Sequence, residues 1–337
     1  MNVGIIGAGI AGLSAARRLT AAGCKVSLFD KGRGAGGRMS TRRAKTSIGE
    51  VRFDHGAQYF TARDEAFRAE LAGLQAEGAV KQWRPRLADI RKEAEGWHVA
   101  PRADEADRES LFVGTPSMNA MLKALAEGQS ILWGWRATGI VFDGNGRWIR
   151  FEDGGEAGPF DVVICAVPGE QAADLLAGAS PQLAAEAGEA RSLPCWAVML
   201  AFDRPVATPW DGARVFGSPL GWIARNASKP GRVRAESWVL HATPEWSAAN
   251  IDREADSVAA ELVGEFRVMT GAMAPVHVAA HRWRYALVER PAGTVFGWDA
   301  ERQIAAIGDW CTGPRIELAW ESGRACAEHL KDAVPAT

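Results

Sequence analysis

Three ring-bearing side chains in the C-terminal third of the chain could form one wall of a site for a flat substrate. His281, Trp283 and Tyr285 occupy alternate positions in the segment AHRWRYA. Alternate residues of a β-strand point to the same face, so all three are predicted to face one side of a sheet. An imidazole, an indole and a phenol can pack against and hydrogen-bond to a heterocycle. Packing in the core of the sheet remains the alternative.

A glycine-rich turn near the start of the chain could bind a pyrophosphate. The segment GAGIAG, with Gly7, Gly9 and Gly12, lies between an apolar run at Asn2–Ile6 and a small-residue helix that Gly23 would end. In such a unit the first glycine allows the turn, and the second lets the backbone approach the pyrophosphate. The third lets the helix pack on the strand. The helix N-terminus then stabilises the phosphate charge.

An acidic residue and a basic loop follow this turn. Asp30 ends the next apolar run, 18 residues after Gly12, close to the spacing of about 20 at which an acid binds a ribose hydroxyl. Arg33 comes just beyond it, and an arginine there suits the additional phosphate of NADP. By themselves these residues leave NAD, NADP and FAD open as the bound dinucleotide.

Composition narrows the class of protein. The 337 residues carry a formal net charge of −2, which does not imply a nucleic-acid partner. No apolar run approaches the 18 or so residues of a membrane span, and no secretory leader is expected because a strand pattern starts at Asn2. The five cysteines are odd in number and scattered, as is typical of free thiols in a reducing compartment. We expect a cytoplasmic protein with no membrane contact.

The order of the predicted elements favours two interleaved domains. Patterns suited to a nucleotide-binding sheet occur at both ends and in the middle of the chain, whereas strand patterns with many tryptophans dominate Leu193–Leu240. Amphipathic helices are predicted at Arg63–Gly78 and at Thr115–Gly128, and a hairpin is predicted to turn at Asp143–Gly146. Trp222 and Trp238 are further candidates for the site, with core packing favoured for both.

The motifs, in their order and spacing, resemble those of the flavin amine oxidase superfamily and, within it, the renalase-like FAD-dependent oxidoreductases of bacteria. They are VGIIGAGIAGLSAA, GAGGRMSTRR, FDHGAQYFTARD, VGTPSMNAML, DVVICAVP, GWIARNASKPGR, AHRWRYA and IGDWCTGPRIELAWESG. The resemblance implies an α/β fold with an α+β substrate part: a Rossmann-like FAD-binding domain with an interleaved mixed-sheet substrate domain. The implied limits are 1–62, 114–172 and 296–335 for the FAD-binding domain, and 63–113 and 173–295 for the substrate domain.

The resemblance also implies which residues bind FAD. Asp30 would accept from the adenosine ribose, Arg38 would pair with phosphate or the flavin edge, and Asp309 would bind the ribityl hydroxyls. The segment DHGAQYF would run beside the isoalloxazine ring. The implied FAD-binding residues are Gly7, Gly9, Ala11, Gly12, Asp30, Lys31, Gly37, Arg38, Met39, His55, Gly56, Ala57, Gln58, Gly308, Asp309, Ile316 and Glu317. FAD is expected to be non-covalent, because the segment around Cys311 differs from the motif that attaches flavin in some amine oxidases.

The reaction implied by the resemblance is an oxidase reaction. Hydride would pass from a 2- or 6-dihydro isomer of NAD(P)H to FAD and then to O2, giving NAD(P)+ and H2O2. The implied catalytic residues are Tyr59, His281, Trp283 and Tyr285. Two alternatives remain: an amine oxidase or other superfamily dehydrogenase acting on a small organic substrate, and a flavoprotein without catalytic activity. Leu318 stands where the relatives have a glycine, and its bulk is expected to narrow the space beside the flavin or shift the substrate.

A basic loop could contact an anionic substrate. The segment RNASKPGRVR carries Arg225, Lys229, Arg232 and Arg234, and arginine side chains suit phosphate oxygens. We therefore expect this loop to bind the phosphates of a dinucleotide substrate, with a solvated turn as the alternative. No metal site is predicted, since His277 and His281 on a strand do not form a chelate.

Overall fold

The computed structural model of the chain describes residues 1–102, 110–144 and 146–332. Residues 103–109 of the predicted substrate domain and 333–335 of the predicted FAD-binding domain lie outside this range. The helices are α1 (Ile10–Ala21), α2 (Glu65–Ala76), α3 (Ala120–Ala126), α4 (Gly169–Leu176), α5 (Pro181–Glu189), α6 (Pro244–Ala249), α7 (Ala255–Thr270) and α8 (Ile316–Asp332).

The strands alternate with these helices at both ends of the chain and follow one another in its middle. They are β1 (Asn2–Ile6), β2 (Lys25–Asp30), β3 (Thr41–Thr46), β4 (Gly49–Asp54), β5 (Val80–Trp83), β6 (Leu87–Glu93), β7 (Gly96–Pro101), β8 (Leu111–Gly114), β9 (Ile131–Trp133), β10 (Ala137–Asp143), β11 (Gly146–Phe151), β12 (Glu156–Phe160), β13 (Val162–Cys165), β14 (Arg191–Phe202), β15 (Gly212–Phe216), β16 (Leu220–Arg225), β17 (Glu236–Ala242), β18 (His277–Arg290), β19 (Gly297–Asp299) and β20 (Ile304–Ala306).

The first sheet has six strands in the order β19-β20-β13-β1-β2-β9, parallel except for β19. Its central strands are continuous apolar runs such as NVGII, as expected where helices cover both faces of a parallel sheet. Val3 and Ile5 of β1 are fully buried. Helices α1 and α8, from opposite ends of the chain, pack against each other beside this sheet. The order places Gly7 and Asp30 at the same carboxyl edge of adjacent strands.

The second sheet has seven strands in the order β18-β14-β17-β16-β15-β6-β7. One face packs on α7, where Trp238 and Leu240 of β17 join a core with Phe266. The opposite face presents Met199 and Val239 to the β3–β4 hairpin. Alternation along β17 therefore decides which side chains reach the core under α7 and which face the space between the two sheets.

Two predicted elements can be compared directly with the structure. The hairpin at Asp143–Gly146 is confirmed, because the last residue of β10, Asp143, pairs with the first residue of β11, Gly146; Asn145 between them lies outside the described residues. The helix predicted from Thr115 begins only at Ala120, so that prediction was five residues too early. Ser117 and Met118 form a turn before it, in which the Met118 N–H donates to Asp54 Oδ1 at 3.0 Å.

None of the helices in the described ranges combines the length and the apolar character needed to cross a membrane.

Candidate active site

A cavity of about 1570 Å³ lies between the two sheets, with walls from both. Its volume exceeds the 300–1,000 Å³ typical of pockets for one small ligand, so there is room for a dinucleotide and a second molecule. The predicted site residues on its wall are Gly7, Gly9, Ala11, Asp30, Lys31, Gly37, Arg38, Met39, Gly56, Ala57, Gln58, Tyr59, Trp283, Tyr285, Gly308, Asp309 and Ile316. The predicted site residues outside the wall are Gly12, His55, His281 and Glu317.

The glycine turn at one end of the cavity has the geometry of a pyrophosphate cradle. Gly7 has φ +105°, a conformation that side chains other than hydrogen disfavour. A Cβ on Gly12 would overlap the Gly7 carbonyl oxygen, so Gly12 serves the packing of α1 rather than the wall. A Cβ on Gly9 would meet nothing within 4 Å. The α1 N-terminus is thus open to the cavity at Gly9, where a phosphate can approach it.

Asp30 and Arg38 each have partners within the protein. Asp30 accepts from the backbone N–H groups of Ala8 and Gly32, both at 2.7 Å, which fixes its carboxylate at the edge of the turn. Arg38 donates from both terminal nitrogens to Asp309, at 2.7 and 2.6 Å. This bidentate pair joins the loop after β2 to the turn after β20. The roles predicted for these residues toward FAD stay predictions.

Glu317, predicted to bind FAD, has a different position. Its side chain is buried, and Oε1 accepts from the backbone N–H groups of Arg63 and Asp64 at 2.5 and 2.6 Å. Oε2 pairs with Arg315 at 2.6 Å. Glu317 therefore ties the start of α8 to the start of α2, and the structure does not place it on the cavity wall.

Of the three rings predicted to form one wall, Trp283 and Tyr285 border the cavity. His281 and Trp283 share the face of β18 that looks toward β4, with ring centroids 4.4 Å apart. Trp283 borders the cavity, whereas His281 lies behind it against His55, 4.9 Å between centroids. Beyond Trp283 the strand bulges: Leu287 pairs with Leu193 while Trp283 pairs with Cys195. Tyr285 still borders the cavity beyond this irregularity, so His281, behind Trp283, is the one of the three rings that the wall lacks. The roles predicted for these rings stay predictions.

His241 is a wall residue that the sequence patterns missed. It lies on β17, two residues after Val239 and on the face opposite Trp238, so it borders the cavity while Trp238 is in the core. Its Nε2 is 3.1 Å from the His55 carbonyl oxygen. A carbonyl oxygen can only accept, so this contact is a hydrogen bond in the tautomer that has the proton on Nε2 and the lone pair on Nδ1. Burial lowers the pKa of His241 to about 4, which keeps the ring neutral near pH 7.

The side chains of the basic loop, predicted to bind substrate phosphates, bind groups of the protein instead. Lys229 and Arg232 both reach the carboxylate of Asp54, at 3.3 and 2.6 Å, and the three side chains are at most 2% exposed. Burial alone would raise the pKa of Asp54, but the two cations lower it to about 2. Arg225 donates to the Val206 carbonyl at 2.7 Å. Arg234 borders a separate surface groove. The phosphate-binding expectation for this loop was therefore wrong.

Comparison with known proteins decides the family. A family model described as flavin containing amine oxidoreductase matches residues 87–331. The chain belongs to the flavin-containing amine oxidoreductase family. A second model, described as an NAD(P)-binding Rossmann-like domain, matches residues 5–72. Together they confirm the predicted α/β fold with a Rossmann-like dinucleotide-binding part, and they make this protein an FAD-dependent oxidoreductase.

Solved structures share the fold of this flavoprotein at low sequence identity. A protein from Exiguobacterium sp. 255-15, described as a protoporphyrinogen oxidase, has a TM-score of 0.77 at 13% identity, with 99% of each chain covered. A double mutant of putrescine oxidase has a TM-score of 0.73 at 12% identity, again with 99% of each chain covered. An oxidoreductase from Methanosarcina mazei has 0.70 at 14% identity, covering 97% of this chain and all of the other. At such identities the likeness concerns the fold alone.

The residues at the glycine-turn end of the cavity fit the FAD that the family binds. The open N-terminus of α1 at Gly9 suits a pyrophosphate, and the Asp30 carboxylate lies beside it at the position that binds ribose hydroxyls. Bound there, FAD supplies the ability to accept a hydride and pass two electrons onward. Among the described residues no cluster of three or more His, Cys, Asp or Glu side chains has the geometry to hold a metal ion.

The Cys311 thiol is poorly placed to attach a flavin. It is fully buried outside the cavity wall, and its Sγ is 4.0 Å from the Ala306 carbonyl oxygen. Burial raises the pKa of Cys311 to about 12, so it remains a thiol near pH 7. We expect acid precipitation of the yellow protein to leave the flavin colour in the supernatant, and colour retained in the pellet would contradict non-covalent binding.

Proposed function

We propose that this flavoprotein oxidises a dihydronicotinamide dinucleotide in which the hydride is on the 2 or 6 position of the ring. The substrate would lose hydride and regain an aromatic pyridinium, and FAD would carry the electron pair to O2. With one proton from solvent, the products are NAD(P)+ and H2O2. The proposal rests on the resemblance of the motifs to renalase-like enzymes and on the chemistry of the cavity wall.

The observation that carries the proposal is the charge of the substrate-side wall. Its part between Pro194 and Leu287 contains Arg214, Arg282 and Arg284, and no aspartate or glutamate among the described residues. Protein groups already bind two of these arginines: Arg282 donates to the Ile251 carbonyl and lies over the Trp196 ring, and the exposed Asp252 approaches Arg282 and Arg284 at 3.7 and 3.4 Å. Asp252 offsets part of their charge, and the excess on this part of the wall remains positive. A site lined by positive charge concentrates anions and repels cations. A phosphate-bearing dinucleotide suits this wall better than a protonated amine does.

The uncharged side chains of this wall suit a nicotinamide ring. Tyr59 and Trp222 lie with ring centroids 5.5 Å apart, and Trp283 is held by its indole N–H, which donates to the His55 carbonyl at 3.0 Å. Fixed aromatic surfaces favour a flat heterocycle. The lone pair on His241 Nδ1 can accept from an N–H of a carboxamide. These contacts support a substrate with a flat amide-bearing head and an anionic tail.

The function is tested by anaerobic mixing of the FAD-loaded protein with three probes: the isomer mixture from borohydride reduction of NAD+, ordinary NADH, and a panel of amines that includes putrescine. We expect the isomer mixture to bleach the flavin absorbance rapidly and the amines to leave it unchanged. NADH serves as the control for general hydride donation. Bleaching by an amine alone would overturn the proposal in favour of an amine oxidase, and no bleaching by any probe would favour a flavoprotein without catalytic activity.

Replacing His241 should weaken the use of nicotinamide substrates. In His241→Leu the hydrogen-bond acceptor is lost, and an unpaired amide N–H in a dry site costs about 1–3 kcal/mol, equivalent to roughly 5- to 150-fold in kcat/KM. The matched control is His98→Leu, because His98 is exposed on β7. Equal kcat/KM for both variants, at equal FAD content and melting temperature, would remove His241 from the substrate site.

The pH dependence should lack a histidine titration. The pKa of His241 is lowered to about 4 by burial, so its ring stays neutral between pH 6 and 8. Only below about pH 5 should protonation begin to remove the acceptor and lower kcat/KM. A profile of kcat/KM that changes with an apparent pKa near 6.5 and persists in His98→Leu, but is absent from His241→Leu, would contradict the assigned neutral state.

A further inference from the structure

The strongest unexplained feature is the buried lysine behind the cavity wall. Lys229 Nζ has three oxygen neighbours: Gln58 Oε1 at 3.0 Å, Asp54 Oδ2 at 3.3 Å and Asn226 Oδ1 at 3.5 Å. Its side chain is fully buried. Desolvating an ammonium is costly, and the phosphate-binding role first expected for this loop does not account for it. The contacts of Lys229 with Gln58 and Asp54 therefore need another explanation.

The cluster around Lys229 carries more positive than negative charge. Among the described residues Asp54 is the one carboxylate that Lys229 contacts, and Arg232 binds the same Oδ2 through Nε at 3.0 Å and Nη2 at 2.6 Å. The other Asp54 oxygen accepts from the Thr41 hydroxyl and from the Met118 N–H. Two cations share one carboxylate, so the cluster has a net charge of +1 while Lys229 is protonated. His241, on the neighbouring strand β17, is neutral and adds no charge.

Gln58 connects this charge to the cavity. Gln58 borders the cavity and is 6% exposed. Its Oε1 accepts from Lys229, while its Nε2 donates to the backbone carbonyls of Asp54 and Gly56. The reverse amide orientation would place an NH2 group against the ammonium and the oxygen against two carbonyls. Lys229 thereby fixes one orientation of a wall side chain.

We propose that Lys229 is a positioning residue of the active site: it locks Gln58 and sets a positive potential in the cavity that favours anions over cations. A unit charge one side chain away from a poorly hydrated site acts far more strongly than it would in water. The cation lies behind the wall, so it selects by sign of charge without contacting the bound molecule. This inference needs only the FAD of the family and does not depend on the proposed substrate.

The test uses sulfite, an anion that adds to oxidised flavin by forming an S–N bond and requires no turnover. We expect Lys229→Met to bind sulfite at least about 10-fold more weakly than the wild type at pH 7, as read from loss of flavin absorbance. The matched control is Lys123→Met, because Lys123 is exposed on α3, away from the cavity. Lys229→Met leaves Asp54 paired with Arg232, so the fold should persist.

The pH dependence separates a charge effect from a packing effect. Burial, opposed by Asp54, lowers the pKa of Lys229 to about 8, so its charge is lost as pH rises through that value. The 10-fold difference between wild type and Lys229→Met should therefore shrink above pH 8. Equal sulfite affinities at pH 7, or a difference that does not change with pH, would overturn the proposal.

A second variant protects the test against loss of folding. Lys229→Gln keeps a donor for Gln58 Oε1 but has no charge. We expect it to bind sulfite as weakly as Lys229→Met while keeping the wild-type FAD spectrum. Wild-type affinity in Lys229→Gln would show that the hydrogen bond suffices and that the charge has no role. Failure of the nicotinamide isomers to reduce the flavin would reject the proposed function and leave the sulfite result unaffected.

Discussion

Asp54→Ala should be one of the most destabilising single changes in this protein. The carboxylate is fully buried and is bound by Lys229 and Arg232, so its removal leaves two buried cations without a counter-charge. Breaking a buried ion pair by removal of one partner costs about 3–5 kcal/mol, a large share of the ~5–15 kcal/mol by which domains are usually stable. We expect Asp54→Ala to be largely unfolded or aggregated, as measured by urea unfolding and by FAD retention.

The control for this prediction is Asp203→Ala, since Asp203 is exposed at the end of β14. It should change the free energy of unfolding by less than about 0.5 kcal/mol.

The cluster of Asp54, Lys229 and Arg232 also predicts that the protein is less stable in acid. The pKa of Asp54 is lowered to about 2, below its ordinary value of 3.8, so its contribution is complete above pH 4 and is lost as pH falls through 3.8 toward 2. An Asp54→Ala protein as stable as the control would contradict the assignment.

Arg232→Glu should also destabilise the protein through this cluster. A glutamate at 232 would face Asp54 in the core, where two carboxylates repel each other. The expected result is loss of folded protein rather than a higher KM, and the variant is therefore uninformative about substrate phosphates.

Gly9→Val should weaken FAD binding while the fold survives. A Cβ at Gly9 points into open space, with nothing within 4 Å, and its φ of −77° is accessible to valine. The side chain would therefore occupy cavity volume at the N-terminus of α1, where the pyrophosphate must approach the backbone. Steric overlap of one or two methyl groups costs about 1–3 kcal/mol, or roughly 5- to 150-fold in FAD affinity. We expect FAD titration of the apoprotein to give a dissociation constant raised by this factor, with a far-ultraviolet spectrum unchanged from wild type.

Gly73→Val is the matched control, because a Cβ on Gly73 of α2 also meets nothing within 4 Å and Gly73 does not border the cavity. It should bind FAD as the wild type does. Gly12→Val is the contrasting variant: its Cβ would overlap the Gly7 carbonyl, so we expect loss of fold and of FAD together. A yellow Gly9→Val protein with unchanged FAD affinity would show that the pyrophosphate does not lie at this turn.

Local patterns in the sequence were sufficient to predict the dinucleotide-binding part. The requirements of the turn at Gly7, Gly9 and Gly12 are set by backbone geometry within a few residues, so they are visible in any sequence that satisfies them. The acid at the end of β2 follows from the same strand–helix–strand unit. The predicted domain limits at 62, 114, 172 and 296 stay predictions.

The sequence alone could not show which charges and rings share a space. The basic loop at 225–234 reads as a solvated or phosphate-binding segment until Asp54, more than 170 residues earlier, is found against Lys229 and Arg232. The three-ring pattern on β18 has Trp283 and Tyr285 on the wall, but only the tertiary structure shows that His281 lies behind Trp283, against His55.

His241 is a residue of the wall that no pattern in the sequence could indicate. A lone histidine in ESWVLHA carries no motif, and its importance depends on β17 being flanked by β14 and β16 and on the His55 carbonyl approaching its Nε2. The sequence by itself determined the fold class, the presence of a Rossmann-like dinucleotide-binding part and the family, because these depend on local backbone geometry and on motif order. Only the tertiary structure decided the substrate-side wall, because the partners of buried charges and the burial that sets histidine and lysine pKa values come from residues distant in the chain.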